Sequence, residues 1–181
     1  NSFTNTWPSP SSIYVGDDVS DYLAVRGASN YLLPSFTPNN QGGWSWTALR
    51  NINYFLESNT DPAVSEAVRN HYNGLARFSR ALFYFDKVKT YGAVPWIDKP
   101  IAITDSAALF GERDSRGVVM KHVLEDLDYA IANIRTVTSA SRTEVTPDVV
   151  RAFKSRIALY EGTFRKYHAT GLASGLGSTA N

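Results

Sequence analysis

The stretch YNGLARFSRALFYFD, Tyr72–Asp86, decides the fold class of this chain. It lies in a segment of about eight helical turns, from Pro62 to Tyr91, that has no internal proline and a single glycine. Apolar residues recur at three- and four-residue intervals along the segment, and its middle is apolar on nearly every side. A helix of that kind is buried between neighbours. The stretch therefore predicts the central helix of an all-α domain.

Three further amphipathic helices are predicted around the central one. The same spacing of apolar residues indicates helices from Trp46 to Glu57, from Ser115 to Arg135, and from Pro147 to about Tyr167. Short connectors between helices favour antiparallel packing of neighbours. The sequence thus predicts antiparallel helix pairs that resemble tetratricopeptide hairpins, although no clean 34-residue period runs through it.

Capping residues mark the ends of these helices. Asp61-Pro62 and Thr146-Pro147 each place an acceptor side chain before a proline, which predicts a helix start. Ser115 is a third predicted cap. Tyr91-Gly92 predicts that the central helix ends on a glycine with positive φ, and Pro95 prevents the helix from resuming.

The periodicity also predicts which helix faces are buried. On the third helix, the acidic residues Glu125, Asp126 and Asp128 fall mostly outside the apolar stripe, and we expect them on the solvated face. The core stripe of that helix is predicted to be Val119, Val123, Leu127, Ala130 and Ile134. The core stripe of the fourth helix is predicted to be Val149, Phe153, Ile157, Tyr160 and Phe164.

The composition divides the chain into three sections. Residues 1–45 are rich in Asn, Ser, Pro and Gly, which predicts a loop-rich N-terminal section. Residues 46–168 form the helical section, and residues 169–181 read as a flexible tail rich in Gly, Ser and Ala. We interpret the whole as one incomplete domain.

Charge and composition exclude several functions. A net charge of +1 with no block of Lys or Arg gives no footprint for nucleic acid or an acidic membrane. The chain has no cysteine, which rules out disulfides, thiolate metal centres and a thiol nucleophile. No apolar run approaches the roughly 18 residues that a membrane-spanning helix needs. The sequence therefore predicts no nucleic-acid partner and no cysteine chemistry.

Catalytic and cofactor motifs are not apparent. His71, His122 and His168 stand far apart without a second metal ligand nearby, and the Gly171–Gly177 stretch lacks the spacing of a dinucleotide site. Neighbouring acids on the third helix suit a solvated face better than a hydrolytic pair. The acids of Asp17–Asp21 suit turn capping, and a calcium site there stays open. We predict a protein that is not an enzyme and that has no cofactor and no metal.

Arg77 and Arg80 lie among apolar residues of the central helix. A buried guanidinium group needs partners, because an unpaired charge is costly to desolvate. We expect carboxylates or helix-end carbonyls to provide them and expect a structural role for both residues.

The central stretch also resembles one family, the SusD-like (RagB/SusD) nutrient-binding outer-membrane lipoproteins of Bacteroidetes. Tyr72–Asp86 is similar to the family's Y-x-G-E-A-x-F-x-R-A-x-x-Y-F-x-L helix, and the following YGAVPW, Tyr91–Trp96, is similar to its Y-G-x-V-P exit. Supporting stretches occur in the same order along residues 14–167. The chain departs from the pattern at Leu75, where an acid is usual, and at Lys87, where the family is usually apolar.

This resemblance implies a fold, a location and a partner. The fold would be an all-α scaffold of tetratricopeptide-like pairs, and the protein would sit at the cell surface on the outer membrane. It would capture a glycan or oligosaccharide for a SusC-like TonB-dependent transporter and close over that transporter as a lid. Because family members are longer and begin at a lipidated cysteine, the resemblance implies that this chain is a fragment whose lipid anchor lies outside it.

The resemblance further implies that ligand contacts come from loops, including the one before the first helix. Here that loop contains Tyr22, Arg26, Asn30 and Tyr31, with Trp44 near its end. We expect the tyrosine rings to stack on a sugar while Asn30 and Arg26 hydrogen-bond its hydroxyls. The alternative is that these rings only hold the loop against the helices.

Two other functions stay open at this point. A tetratricopeptide-like scaffold would bind a protein or peptide partner through an exposed concave helix face. A carbohydrate-active enzyme would need two carboxylates facing each other across a pocket.

Overall fold

A computed structural model describes residues 44–136 and 144–168. These residues form five helices: α1 (Thr47–Ser58), α2 (Glu66–Tyr91), α3 (Ser106–Leu109), α4 (Arg116–Asn133) and α5 (Pro147–His168). The described residues contain no strand, and their one β-type contact is an isolated antiparallel bridge between Val94 and Asp114. The predicted all-α class is confirmed.

The helix α2 packs antiparallel against α4 along most of its length. Near the start of α2, Asn70 accepts a hydrogen bond of 3.3 Å from the Tyr129 hydroxyl, near the end of α4. Near the end of α2, the Val88 carbonyl accepts a bond of 3.3 Å from Arg116, at the start of α4. The long central helix is therefore covered by α4 on one side.

Helix α1 is antiparallel to α2, and helix α5 is antiparallel to α4. The Trp46 ring, just before α1, contacts Tyr84 late in α2, and Asn59, just after α1, bonds to the Arg69 carbonyl early in α2. The α4 to α5 packing runs from the pair of Arg116 with Glu161 to the pair of Asp128 with Lys154. The predicted antiparallel arrangement is thus confirmed, with α1 and α2 forming one helix pair and α4 and α5 a second.

The core lies around α2, as its sequence predicted. Ala81, Tyr84 and Val88 are completely buried on this helix. The rings of Phe78 and Phe85 meet Phe153 of α5 edge to face, so side chains of α5 also reach α2. The buried apolar residues of α4 are Val119, Met120, Val123, Leu127 and Ala130, with Ile134 just beyond the helix.

Two glycines allow features that other residues would disturb. Gly74 packs against the end of α4, and a Cβ added there would stand 2.9 Å from Ile134 Cγ1. Gly92 ends α2 with a φ of 73°, and its N–H donates to the Val88 carbonyl at 3.0 Å. The predicted glycine ending of the central helix is confirmed, because a positive φ is readily adopted by glycine alone.

The predicted start of the central helix is wrong by four residues. The Asp61 carboxylate accepts a hydrogen bond from the Ala63 N–H at 2.8 Å, which forms a turn through Pro62 in place of a helical cap. The chain becomes helical only at Glu66, after Ser65. Asp and Pro favour both a turn and a helix start, and here the turn wins.

One position of the predicted α5 stripe is also wrong. Val149 is 46% exposed, whereas its neighbour Val150 is completely buried. Ile157 of the same stripe is completely buried, and Val150 lies seven residues, about two turns, before it on the same face.

None of the described helices combines the length and the apolar character needed to cross a membrane.

Candidate functional site

The residues expected to bind ligand lie mainly at the beginning of the chain. Tyr22, Arg26, Asn30 and Tyr31 are outside the described residues, and so are the acids of the Asp17–Asp21 turn. Trp44 is described and is 40% exposed, so its ring is accessible to solvent. A binding role for these five loop residues stays a prediction.

The described part of the chain offers a second loop, the connector between α2 and α4, which we define as residues 93–115. The buried Tyr84 side chain of α2 lies under its first part. The Tyr84 hydroxyl accepts a hydrogen bond of 2.6 Å from the Ile97 N–H and lies 3.3 Å from the carbonyl oxygens of Pro95 and Ile97. Burial raises the pKa of Tyr84 well above its usual range, so the phenol stays protonated and can also donate.

Arg80 holds the next part of the connector from below. Its guanidinium donates to the Asp98 carbonyl at 3.2 Å and to the Asn53 side chain at 3.3 Å. Asn53, on α1, in turn donates to the Ile97 carbonyl at 2.9 Å. Buried polar groups of α1 and α2 therefore satisfy the backbone of the connector, where no sheet or helix does so.

The main partner of Arg80 is Asp126 of α4. Two hydrogen bonds of 2.6 and 2.8 Å join the guanidinium to the two carboxylate oxygens. The expected carboxylate partner for Arg80 is thus confirmed, but the expected position of Asp126 outside the core face is wrong, because the residue is only 2% exposed. Asp126 lies three residues after Val123 and four before Ala130, which places it on the buried face.

Arg77 is less buried than the sequence suggested. Its side chain is 37% exposed and lies 3.8 Å from the Asp126 carboxylate. Its guanidinium stacks over the Tyr129 ring at 4.0 Å from the ring centre. Arg77 therefore contributes a partly solvated cation to the same cluster.

Trp96 closes the connector against the helices. One ring contact is to Tyr84, with ring centres 4.3 Å apart, and another is to His122 of α4, stacked at 4.7 Å. The backbone N–H of Trp96 donates to the Asp114 carboxylate at 2.7 Å. Asp114 also donates its own N–H to the Val94 carbonyl at 3.1 Å, so the two ends of the connector are joined.

The connector encloses a half-open pocket of about 210 Å³, which we call the connector pocket. The apolar residues of its lining include Trp96, Ile97 and Ile101. Ala107 and Ala108 of α3 also line the pocket. Its charged lining residues are Asp98, Lys99, Glu112 and Asp114.

Three of these charged side chains are available to a ligand. Asp98, Lys99 and Glu112 are exposed, and none of their side chains forms an ion pair or hydrogen bond with another described residue. The pocket therefore combines an apolar surface with one donor group and several acceptor groups. Such a surface binds polar ligands that also have an apolar face.

The two neighbouring acids of α4 considered for hydrolysis, Glu125 and Asp128, have other partners. Glu125 pairs with His122 at 2.8 Å, and Asp128 pairs with Lys154 of α5. Both acids are exposed, as expected for a solvated face. In residues 44–136 and 144–168, no three side chains are grouped in a way that could hold a metal ion.

A second buried ion pair was not predicted from the sequence. Arg116 and Glu161 join α4 to α5, with Nη2 of Arg116 2.8 Å from Oε2 of Glu161. The Arg116 guanidinium also lies 3.8 Å from the centre of the Phe164 ring. The burial of Glu161 had a signal in the sequence, since Glu161 follows the core residue Ile157 by four positions and therefore shares its face.

His71 links the start of α2 to the end of α4. Its Nδ1 accepts a hydrogen bond of 3.1 Å from the Arg135 N–H, which requires a neutral ring nitrogen. Burial, and after it the Arg135 charge, lowers the pKa of His71, while Glu144 acts in the opposite direction. The contact is structural and lies far along α2 from the connector pocket.

Comparison with known proteins supports the family resemblance. The chain is similar to the crystal structure of a SusD-like protein from Bacteroides fragilis, with 30% sequence identity and a TM-score of 0.56 over 65% of this chain. The match covers 23% of the Bacteroides fragilis chain, so the matched part of this chain corresponds to less than a quarter of that protein's length. No protein-family model and no curated protein matches the chain.

The solved structure and the quoted motifs point to the same family. The matched structure is SusD-like, and the described residues have the helical, tetratricopeptide-like pairs that the motifs of α2 implied. The resemblance of this chain to the SusD-like family is therefore confirmed, and its described part has a SusD-like helical fold.

Proposed function

We propose that this protein captures a nutrient glycan or oligosaccharide without altering it and delivers it to a SusC-like TonB-dependent transporter. The observation that carries this proposal is the likeness to a SusD-like protein at 30% identity. The proposal places the protein at the cell surface on the outer membrane, held by a lipid anchor.

The packing of the helices supports a binding role. The cluster of Arg80, Asp126 and Tyr84 holds the connector in one conformation, so little freedom is lost when a ligand binds. The carboxylates that could take part in hydrolysis on α4 are already paired with His122 and Lys154. These features favour recognition over chemical change.

The proposed ligand contacts are those of the N-terminal loop. Tyr22 and Tyr31 would stack on sugar rings, Asn30 and Arg26 would bond to hydroxyl groups, and Trp44 would extend the aromatic surface. Affinity for an oligosaccharide would come from several contacts along its length.

A glycan-array screen of the intact protein tests the proposal, followed by calorimetric titration of each hit. We expect saturable binding to at least one oligosaccharide and weaker binding after Tyr31→Ala. Co-purification with a SusC-like barrel tests the partner. Failure of every glycan to bind would overturn the capture function, and binding unchanged by Tyr31→Ala would overturn the role of that loop.

A further inference from the structure

We propose that the connector pocket is a separate subsite for one neutral hexopyranose residue of the captured glycan. This inference rests on the proposed function. It adds the location of a binding site, the size of the sugar that fits there and the charge that this sugar carries. The residues that carry it are Ile97, Lys99 and Glu112, with the acids Asp98 and Asp114.

The volume of the pocket suits a single sugar ring. Its volume of about 210 Å³ is below the range of about 300 to 1,000 Å³ that is typical of pockets for drug-sized ligands. One sugar ring with its hydroxyl groups is smaller than such ligands. The half-open shape leaves room for the glycosidic bond to continue into solvent, as binding of an oligosaccharide requires.

The chemistry of the lining matches a pyranose. A sugar ring has C–H faces that pack on apolar groups, and Ile97, Ile101 and Ala108 supply such a surface. Sugar hydroxyls both donate and accept hydrogen bonds. The Lys99 ammonium can donate to them, and the Glu112 carboxylate can accept from them, and both are free of described partners.

The charge of the lining excludes acidic sugars. Asp98, Glu112 and Asp114 place three carboxylates around the pocket against the single ammonium of Lys99. A uronate or a phosphorylated sugar would bring another negative charge close to them, which is unfavourable. A neutral hexose meets no such repulsion and still finds both kinds of hydrogen-bonding group.

The pocket is held in place before any ligand arrives. Tyr84 and Asn53 bind the backbone at Ile97, Arg80 binds it at Asp98, and Asp114 binds it at Trp96. A ligand that enters such a site has little loop to order, so even a single sugar ring can be selected.

Titration of the methyl glycosides of glucose, galactose and mannose into the intact, isotopically labelled protein tests the proposal. We expect at least one of them to shift the backbone amide signals of Ile97, Lys99 and Glu112 in a saturable way. Methyl glucuronide should bind at least about tenfold more weakly than methyl glucoside, or about 1.4 kcal/mol. Equal affinity for the two, or shifts confined to other residues, would overturn the proposal.

Variants of the connector locate the site. Ala108→Trp should fill the pocket and weaken binding of the same glycoside at least about tenfold. Ala102→Trp, an exposed substitution in the same connector outside the lining, should change affinity less than about twofold. Glu112→Ala is a second test that leaves the core untouched, and we expect it to weaken binding as well. Unchanged affinity in Glu112→Ala and Ala108→Trp would contradict the subsite.

Titrations of the parent protein and of Ala108→Trp distinguish failure of the connector subsite from failure of the proposed function. If an oligosaccharide binds equally well to the parent protein and to Ala108→Trp, glycan capture stands and the connector subsite is wrong. If no glycan binds to the parent protein, the proposed function itself fails.

Discussion

Arg80 of α2 and Asp126 of α4 form a buried ion pair with two hydrogen bonds, 2.6 and 2.8 Å long. The pair joins the central helix to α4, and the same guanidinium holds the connector at the Asp98 carbonyl. One interaction therefore links helix packing to the position of the candidate pocket.

Removal of one partner of this pair should destabilise the protein strongly. Asp126→Ala leaves the buried Arg80 charge without its main partner, and breaking such pairs costs about 3 to 5 kcal/mol. Chemical denaturation measures the change in the free energy of unfolding. The control is Asp128→Ala on the same helix, whose exposed pair with Lys154 should contribute less than about 1 kcal/mol. Equal effects of the two substitutions would contradict the structural role of Arg80 and Asp126.

Loss of the Tyr84 hydroxyl should loosen the connector. Tyr84→Phe removes the acceptor of the Ile97 N–H, and an unsatisfied buried donor costs about 1 to 3 kcal/mol. Hydrogen exchange should show faster exchange of the Ile97 amide. Tyr160→Phe is the matched control, because the Tyr160 hydroxyl has no hydrogen bond to a described residue. An unchanged exchange rate at Ile97 would show that the connector is held by other contacts.

Two glycine substitutions should have opposite effects. In Gly74→Ala the new methyl group would stand 2.9 Å from Ile134 Cγ1 and 3.4 Å from the Ile134 nitrogen, so the Ile134 side chain or the helix packing must shift. We expect a loss of about 1 to 3 kcal/mol in the free energy of unfolding. Gly162→Ala on α5 meets no atom within 4 Å and should be neutral or stabilising by up to about 1 kcal/mol. Thermal unfolding of both variants tests this, and a neutral Gly74→Ala would contradict the close helix contact.

Acid should weaken the contact between His71 and the end of α4. The pKa of His71 in the folded protein is lowered from 6.5, so the folded state favours the neutral ring. The neutral His71 ring stabilises the folded state, and this stabilisation is complete above about pH 6.5. It is lost as the pH falls through the lowered pKa of His71 in the folded protein.

Denaturation at a series of pH values between 7 and 5 measures this effect. His71→Gln keeps a possible acceptor for the Arg135 N–H and removes the titrating ring, so its stability should fall less than that of the parent protein. His168→Gln, at the exposed end of α5, should retain the dependence of the parent protein. The same pH dependence in both variants would contradict a role for His71.

Periodicity was sufficient to predict most of the fold. Ala81 and Phe85 recur at helical spacing within an apolar stretch, and the same rule placed Val119 and Leu127 in the core. Local capping was harder to predict. Asp61-Pro62 stabilises a turn as readily as a helix, and contacts made by the folded chain decide between them.

The polar core was predictable only in part. The sequence showed that Arg80 needed a partner, but Asp126 lies 46 positions away, and local spacing says nothing about such a pair. The pair of Arg116 and Glu161 is separated by 45 positions and was missed for the same reason. The connector pocket is formed by an irregular loop, and no periodic pattern in the sequence predicts the path of such a loop.

The most direct test of glycan capture without chemical change combines calorimetric titration with recovery of the bound glycan. The intact protein would be saturated with an oligosaccharide identified by the array, and the ligand would then be released and analysed by mass spectrometry. We expect saturable binding and a released glycan of unchanged mass, even after prolonged incubation. A shortened or otherwise altered glycan, or the failure of every glycan to bind, would contradict this expectation.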